Sequence, residues 1–169
     1  MKTDKITRRF RIRHRKKLIV CGVILVVWVI IMLTLSSQNG LQTAQLSGRF
    51  SEWLTLLIYG ENLAKFHAVH LFVRKAAHVF LFMVLSTLLA EILICFERAK
   101  PIICAAVSVG AAVMFALADE WHKLYIPGRH FEVVDVMLNI IGILLGAAIF
   151  LLIRFVRRRR KTAKAEVNG

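Results

Sequence analysis

Asp119, Glu120 and His122 stand almost side by side in this chain, and Arg129, Asp135 and Asn139 follow shortly after. Arg74, Lys75 and His78 form an earlier cluster. Carboxylates beside an imidazole are the raw material of acid–base catalysis, so Asp119, Glu120 and His122 are the candidate catalytic residues. Guanidinium and ammonium groups make charge-assisted hydrogen bonds to phosphate or carboxylate, so Arg74, Lys75 and Arg129 are candidates to hold an anionic group. His78, Asp135 and Asn139 complete that candidate ligand-binding set, the last two by orienting the cations.

The elements that must position these residues are greasy. The chain has 169 residues, is 58% hydrophobic and carries a formal net charge of +14. The charge is segregated: of 24 Lys and Arg, nine lie in residues 1–17 and seven in 154–164. That is the pattern of basic tails around a membrane body, and it excludes a basic nucleic-acid groove. Residues 18–35 contain no charge and make about 27 Å of helix, near the ~30 Å of a bilayer core. They read as a retained anchor rather than a cleaved signal peptide, because no clean small-x-small site follows.

Three more spans follow, at about 76–96, 102–118 and 133–153. The expected fold is therefore all-α, an integral membrane bundle of four transmembrane helices. Residues 1–17 and 154–169 are its basic tails, and 18–153 its membrane domain. Basic residues mark the side shared by both tails and the 97–100 turn as cytoplasmic. This predicts a multi-pass cell-membrane protein with both termini cytoplasmic. Ser36-Ser37-Gln38, Arg74–His78 and the 119–139 stretch then meet at the outer face.

Between the first two spans, Leu41, Leu46, Phe50, Trp53, Leu54, Leu57 and Ile58 recur at helical spacing against Gln42, Gln45, Arg49 and Glu52. This predicts a short amphipathic extracytoplasmic helix, either lying on the membrane or packed on top of the bundle. A second short helix is expected to carry His67 and His70. Glu91, the one acidic residue within the second span, is expected to snorkel or to pair with Arg98. Asp135, Asn139, Gly142 and Gly146 fall on one stripe of the fourth span, which suggests a buried face where another helix approaches closely. Such a polar stripe serves either as an Arg–Asp clamp between helix ends or as the wall of a pocket.

No ligand spacing indicates a metal, and no cofactor is expected; His67 and His70 on one short helix form no closed set. Cys21, Cys95 and Cys104 read as small packing residues rather than a disulfide framework.

Ser36-Ser37-Gln38, Arg74-Lys75-x-x-His78, Asp119-Glu120-Trp121-His122, Pro127-Gly128-Arg129, Asp135, Asn139 and Gly142, in this order around four spans, resemble the VanZ-like family over about residues 18–153. That family is named for a teicoplanin-resistance protein. The resemblance implies a small integral membrane protein whose relatives lower sensitivity to glycopeptides, and it implies no established reaction. Where the family often has Gln after Asp-Glu-x-His, this chain has Lys123, expected to add a positive charge at the outer mouth.

Three function classes remain open at this level. The first is an outer-leaflet pocket for an anionic lipid or cell-wall precursor. The second is an intramembrane enzyme acting on an envelope lipid, for which no nucleophile motif stands out beyond Ser36 and Ser37. The third is an accessory subunit with a membrane-protein partner. The expected partners are the lipid bilayer, an anionic lipid or cell-wall precursor, and a membrane protein; nucleic acid is excluded.

Overall fold

The computed structural model describes residues 14–38, 40–59, 65–96, 99–127 and 131–167, with the backbone alone for 40–47, 59 and 161–167. Five helices make up these residues: α1 (Arg15–Ser36), α2 (Gly40–Tyr59), α3 (Phe66–Leu93), α4 (Pro101–Lys123) and α5 (Val133–Val167). All except α2 are long and apolar enough to cross a membrane. They run up and down, so the ends of α1 and α4 share one end of the bundle with the starts of α3 and α5.

Two helices are longer than the spans read from hydropathy. The short helix expected to carry His67 and His70 is the first part of α3, which continues unbroken for 28 residues, or about 42 Å of helix. Nothing at Arg74-Lys75 breaks it; hydropathy reports only where the surroundings turn apolar. In the same way α5 runs past Arg154 through the basic stretch, whose Arg and Lys are good helix formers. Pro101 occupies the first turn of α4, where its missing N–H costs no hydrogen bond.

α3 and α5 form the tightest pair. Apolar burial does not drive helices together inside lipid, so close packing must hold them. Gly142 and Gly146 supply it. A Cβ at Gly142 would collide with the Val79 carbonyl, and one at Gly146 with the Met83 carbonyl. The expected close approach below Asp135 and Asn139 is thus realised against α3. Thr87 uses the proximity, its Oγ1 lying 2.9 Å from the Met83 carbonyl and 3.1 Å from that of Gly146. Phe82, Leu85, Ala112, Ala116 and Ile143 fill the centre, with Met32 from α1. α1 lies on the outside, tied to α3 by Trp28 Nε1 donating to the Leu81 carbonyl at 3.1 Å.

α2 packs along α3 with its pattern reversed. Ser51 and Thr55 are buried, while Phe50, Trp53, Leu56, Leu57 and Ile58 point outward. Small polar residues permit the close contact, and Thr55 Oγ1 satisfies itself on the Ser51 carbonyl at 2.7 Å. A helix packed on a bundle through its apolar face would show the opposite pattern. The outward apolar face suits contact with lipid.

At the far end of the bundle, Glu91 of α3 pairs with Lys17 of α1 and Arg154 of α5. The expected partner Arg98 lies outside the described residues. The pairing links three helices and leaves Glu91 mostly buried. Proximity along the chain had favoured Arg98, whereas the bundle brings the first turn of α1 and the sixth turn of α5 to the level of Glu91. The cysteines form no disulfide: Cys21, Cys95 and Cys104 are free, the last two buried.

Candidate functional site

The opposite end of the bundle holds a buried polar cluster built from three helices. α3 contributes Arg74 and His78, four residues apart and therefore on one face. The last turn of α4 contributes Asp119, Glu120 and Lys123. The start of α5 contributes Asp135 and Asn139. The helix dipoles favour this distribution: Lys123 sits at a C-terminus and Asp135 in the first turn of its helix.

Lys123 is the centre. It is 4% exposed, and its ammonium pairs with Glu120 and stands 3.8 Å from Asp119 and 3.7 Å from Asp135. Rather than adding charge to an open mouth, it is enclosed by three carboxylates. Its role had a signal in the sequence, since Asp119 and Glu120 precede it by four and three residues, the spacing of helical ion pairs. His78 bridges to α5 on two sides. Its Nδ1 lies 3.1 Å from Asn139 Oδ1, and its Nε2 3.4 Å from Asp135 Oδ2. Arg74 reaches in from the surface, 3.9 Å from Asp135 and 3.8 Å from Glu132. Glu132, which sequence reasoning missed, is exposed; no spacing pointed to it across the chain.

The remaining candidates fall elsewhere. Lys75 and His122 are exposed, on helix faces turned away from the cluster. A spacing of three residues alone would put Asp119 and His122 on one helix face, with Glu120 turned aside. Instead Asp119 and Glu120 both face inward, because the buried stripe of α4 runs through Ala112, Ala116, Asp119, Glu120 and Lys123. Arg129 lies outside the described residues. His67 is exposed, and His70 stacks on Phe66 at 6.0 Å. A set with metal-ligand character does arise, from residues with no shared spacing: His78, Glu120 and Asp135.

Beside the cluster lies a cleft of about 630 Å³ between α1, α2 and α3. Its walls are apolar, with Met32, Leu35, Phe50, Leu54, Phe72 and Phe80, and its polar end is formed by Arg74, His78, Asp119 and Lys123. Gln38 also reaches it, with a buried side-chain oxygen that has no partner among the described residues. An apolar slot ending in charged groups matches a molecule with a greasy tail and a charged head.

Four helices long and apolar enough to cross a membrane, with a polar cluster at one end, define a multi-pass membrane protein. The VanZ/LLP1 family model matches residues 21–154, and the chain belongs to that family. Neither the curated proteins nor the solved structures contain a match to this chain.

Proposed function

We propose that this protein binds an anionic-headed amphiphile of the bacterial cell envelope, a lipid or a lipid-linked cell-wall precursor, in the cleft between α1, α2 and α3. The observation that carries this reading is the cleft's division into apolar walls and a polar end at which Arg74 is the accessible cation. The tail lies along Phe50, Leu54, Phe72 and Phe80. Arg74, the most accessible cation of the polar end, takes the phosphate or carboxylate by charge-assisted hydrogen bonds. Asp135 restrains Arg74 from behind.

The basic tails put this end of the bundle in the outer leaflet by the positive-inside rule. A protein that holds a cell-wall precursor there alters what a glycopeptide meets, and lowered sensitivity to teicoplanin is the proposed consequence. The test compares teicoplanin and vancomycin susceptibility in cells lacking the protein and in cells expressing wild type or Ala77→Trp, which fills the cleft and leaves the polar cluster untouched. Protection by wild type and its loss in Ala77→Trp at equal protein level support the reading. Equal susceptibility of all three strains removes the antibiotic role.

His78 and Asp119 line the same cleft, and this favours one second reading, chemistry on the headgroup by these acid–base groups. Its test is conversion of an envelope lipid by purified protein, lost in Asp119→Asn. Identical lipid profiles in deletion and wild-type cells argue against turnover.

A further inference from the structure

The charges inside the polar cluster do not balance. Asp119, Glu120 and Asp135 are buried, and Lys123 is the one buried cation among the described residues. Arg74 stands at the edge, 3.9 Å from Asp135 and shared with exposed Glu132. Among the described residues, three buried carboxylates thus share one buried cation and one cation at the edge, in surroundings where an unpaired charge is costly.

The polar atoms carry the same signal. Lys123 meets Oε1 of Glu120, while Oε2 of that fully buried carboxylate has no partner among the described residues. His78 Nδ1 faces the Asn139 amide oxygen at 3.1 Å. An amide oxygen only accepts, so the proton of a neutral imidazole sits on Nδ1 and the lone pair is on Nε2. That lone pair looks at Asp135 Oδ2 across 3.4 Å. Two electron-rich atoms face each other, and a carboxylate oxygen of Glu120 lies within 4.8 Å of a ligand atom of each of these residues; such an arrangement calls for a cation.

We propose that His78, Glu120 and Asp135 bind one divalent first-row metal ion. Each offers a ligand atom within 4.8 Å of the other two. One imidazole nitrogen and two carboxylate oxygens suit Zn²⁺ or Mn²⁺. Two carboxylates neutralise a dication, which leaves Lys123 to pair with Asp119, already 3.8 Å away. Asn139 acts as a positioning residue: it fixes the tautomer and the ring direction of His78, as outer partners of histidine ligands do. Lys123 competes with the ion for Glu120 and fills its place when the ion is absent. The expectation of no metal rested on spacing; these ligands come from three helices, with no repeat to betray them. The site stands on this geometry and does not depend on what enters the cleft.

The test uses the full chain purified in detergent, stripped with chelator and dialysed against Zn²⁺ or Mn²⁺ alone, with bound metal measured by mass spectrometry. One equivalent per chain is expected. Binding weakens at least tenfold in His78→Gln and in Glu120→Gln, and is unchanged in a His67→Gln/His70→Gln double variant lacking the other α3 histidines. Lys123→Gln, which removes the competing ammonium, tightens binding threefold or more. Where a ligand variant loses helicity by circular dichroism, Lys123→Gln decides: tighter binding supports the site and unchanged binding overturns it. Absence of saturable binding to wild type, or equal binding by wild type and helical Glu120→Gln, also overturns it.

Discussion

His78 and Asn139 join α3 to α5 through a 3.1 Å contact between Nδ1 and Oδ1, inside a bundle whose walls are otherwise apolar. Asn139 is fully buried, so this contact replaces water that the amide oxygen has lost. Replacing Asn139 with Ala leaves the imidazole N–H without its partner. The expected loss is about 1–3 kcal/mol, read as a lower unfolding midpoint of the purified protein in detergent. An unchanged midpoint would show that the pair carries no net stability.

The glycines of α5 make a sharper contrast. Gly142→Ala and Gly146→Ala each push a methyl group into an α3 carbonyl, and each should destabilise by about 1–3 kcal/mol or more, as overpacking does. Gly110→Ala on α4 meets nothing within 4 Å, and should be neutral or mildly stabilising, within about 1 kcal/mol. Thermal unfolding of the three variants side by side distinguishes close helix approach from a general intolerance of substitution.

At the other end, Glu91→Gln leaves Lys17 and Arg154 facing each other without their shared carboxylate. Removing one partner of a buried ion pair costs about 3–5 kcal/mol; Lys17 reaches solvent, so the low end is expected here. Replacing Lys17 as well should recover part of the loss, which a double-mutant cycle measures.

Orientation is checked in whole cells. In a cysteine-free background, Ser37→Cys is expected to react with a membrane-impermeant maleimide added outside, and Lys100→Cys only after the cells are opened. The reverse labelling would place the polar cluster in the inner leaflet and remove the cell-wall reading.

Four spans, their boundaries to within a turn or so at most ends, and the buried stripe through Asp135 and Gly146 were legible in the sequence. They follow from hydropathy and helical periodicity, which act along a single helix. What crosses between helices was not legible. Lys123 looked like a surface charge because only packing against α3 and α5 encloses it. His122 looked like a partner of Asp119 because periodicity alone cannot fix the centre of a buried face. The reversed face of α2 was hidden for a related reason: in lipid, apolar residues turn outward and small polar ones make contact. Glu91 was read against its neighbour in sequence, and found its partners in the first turn of α1 and the sixth turn of α5.

The most direct measurement is lipid analysis of the purified chain. Wild type, extracted in mild detergent from cells and analysed by mass spectrometry, is predicted to retain one anionic-headed amphiphile at close to one per chain. Ala77→Trp should lose it through a filled cleft, and Arg74→Ala should weaken retention at least several-fold. A wild-type protein that carries only the bulk lipid mixture, with the same profile in both variants, would contradict the cleft as a binding site.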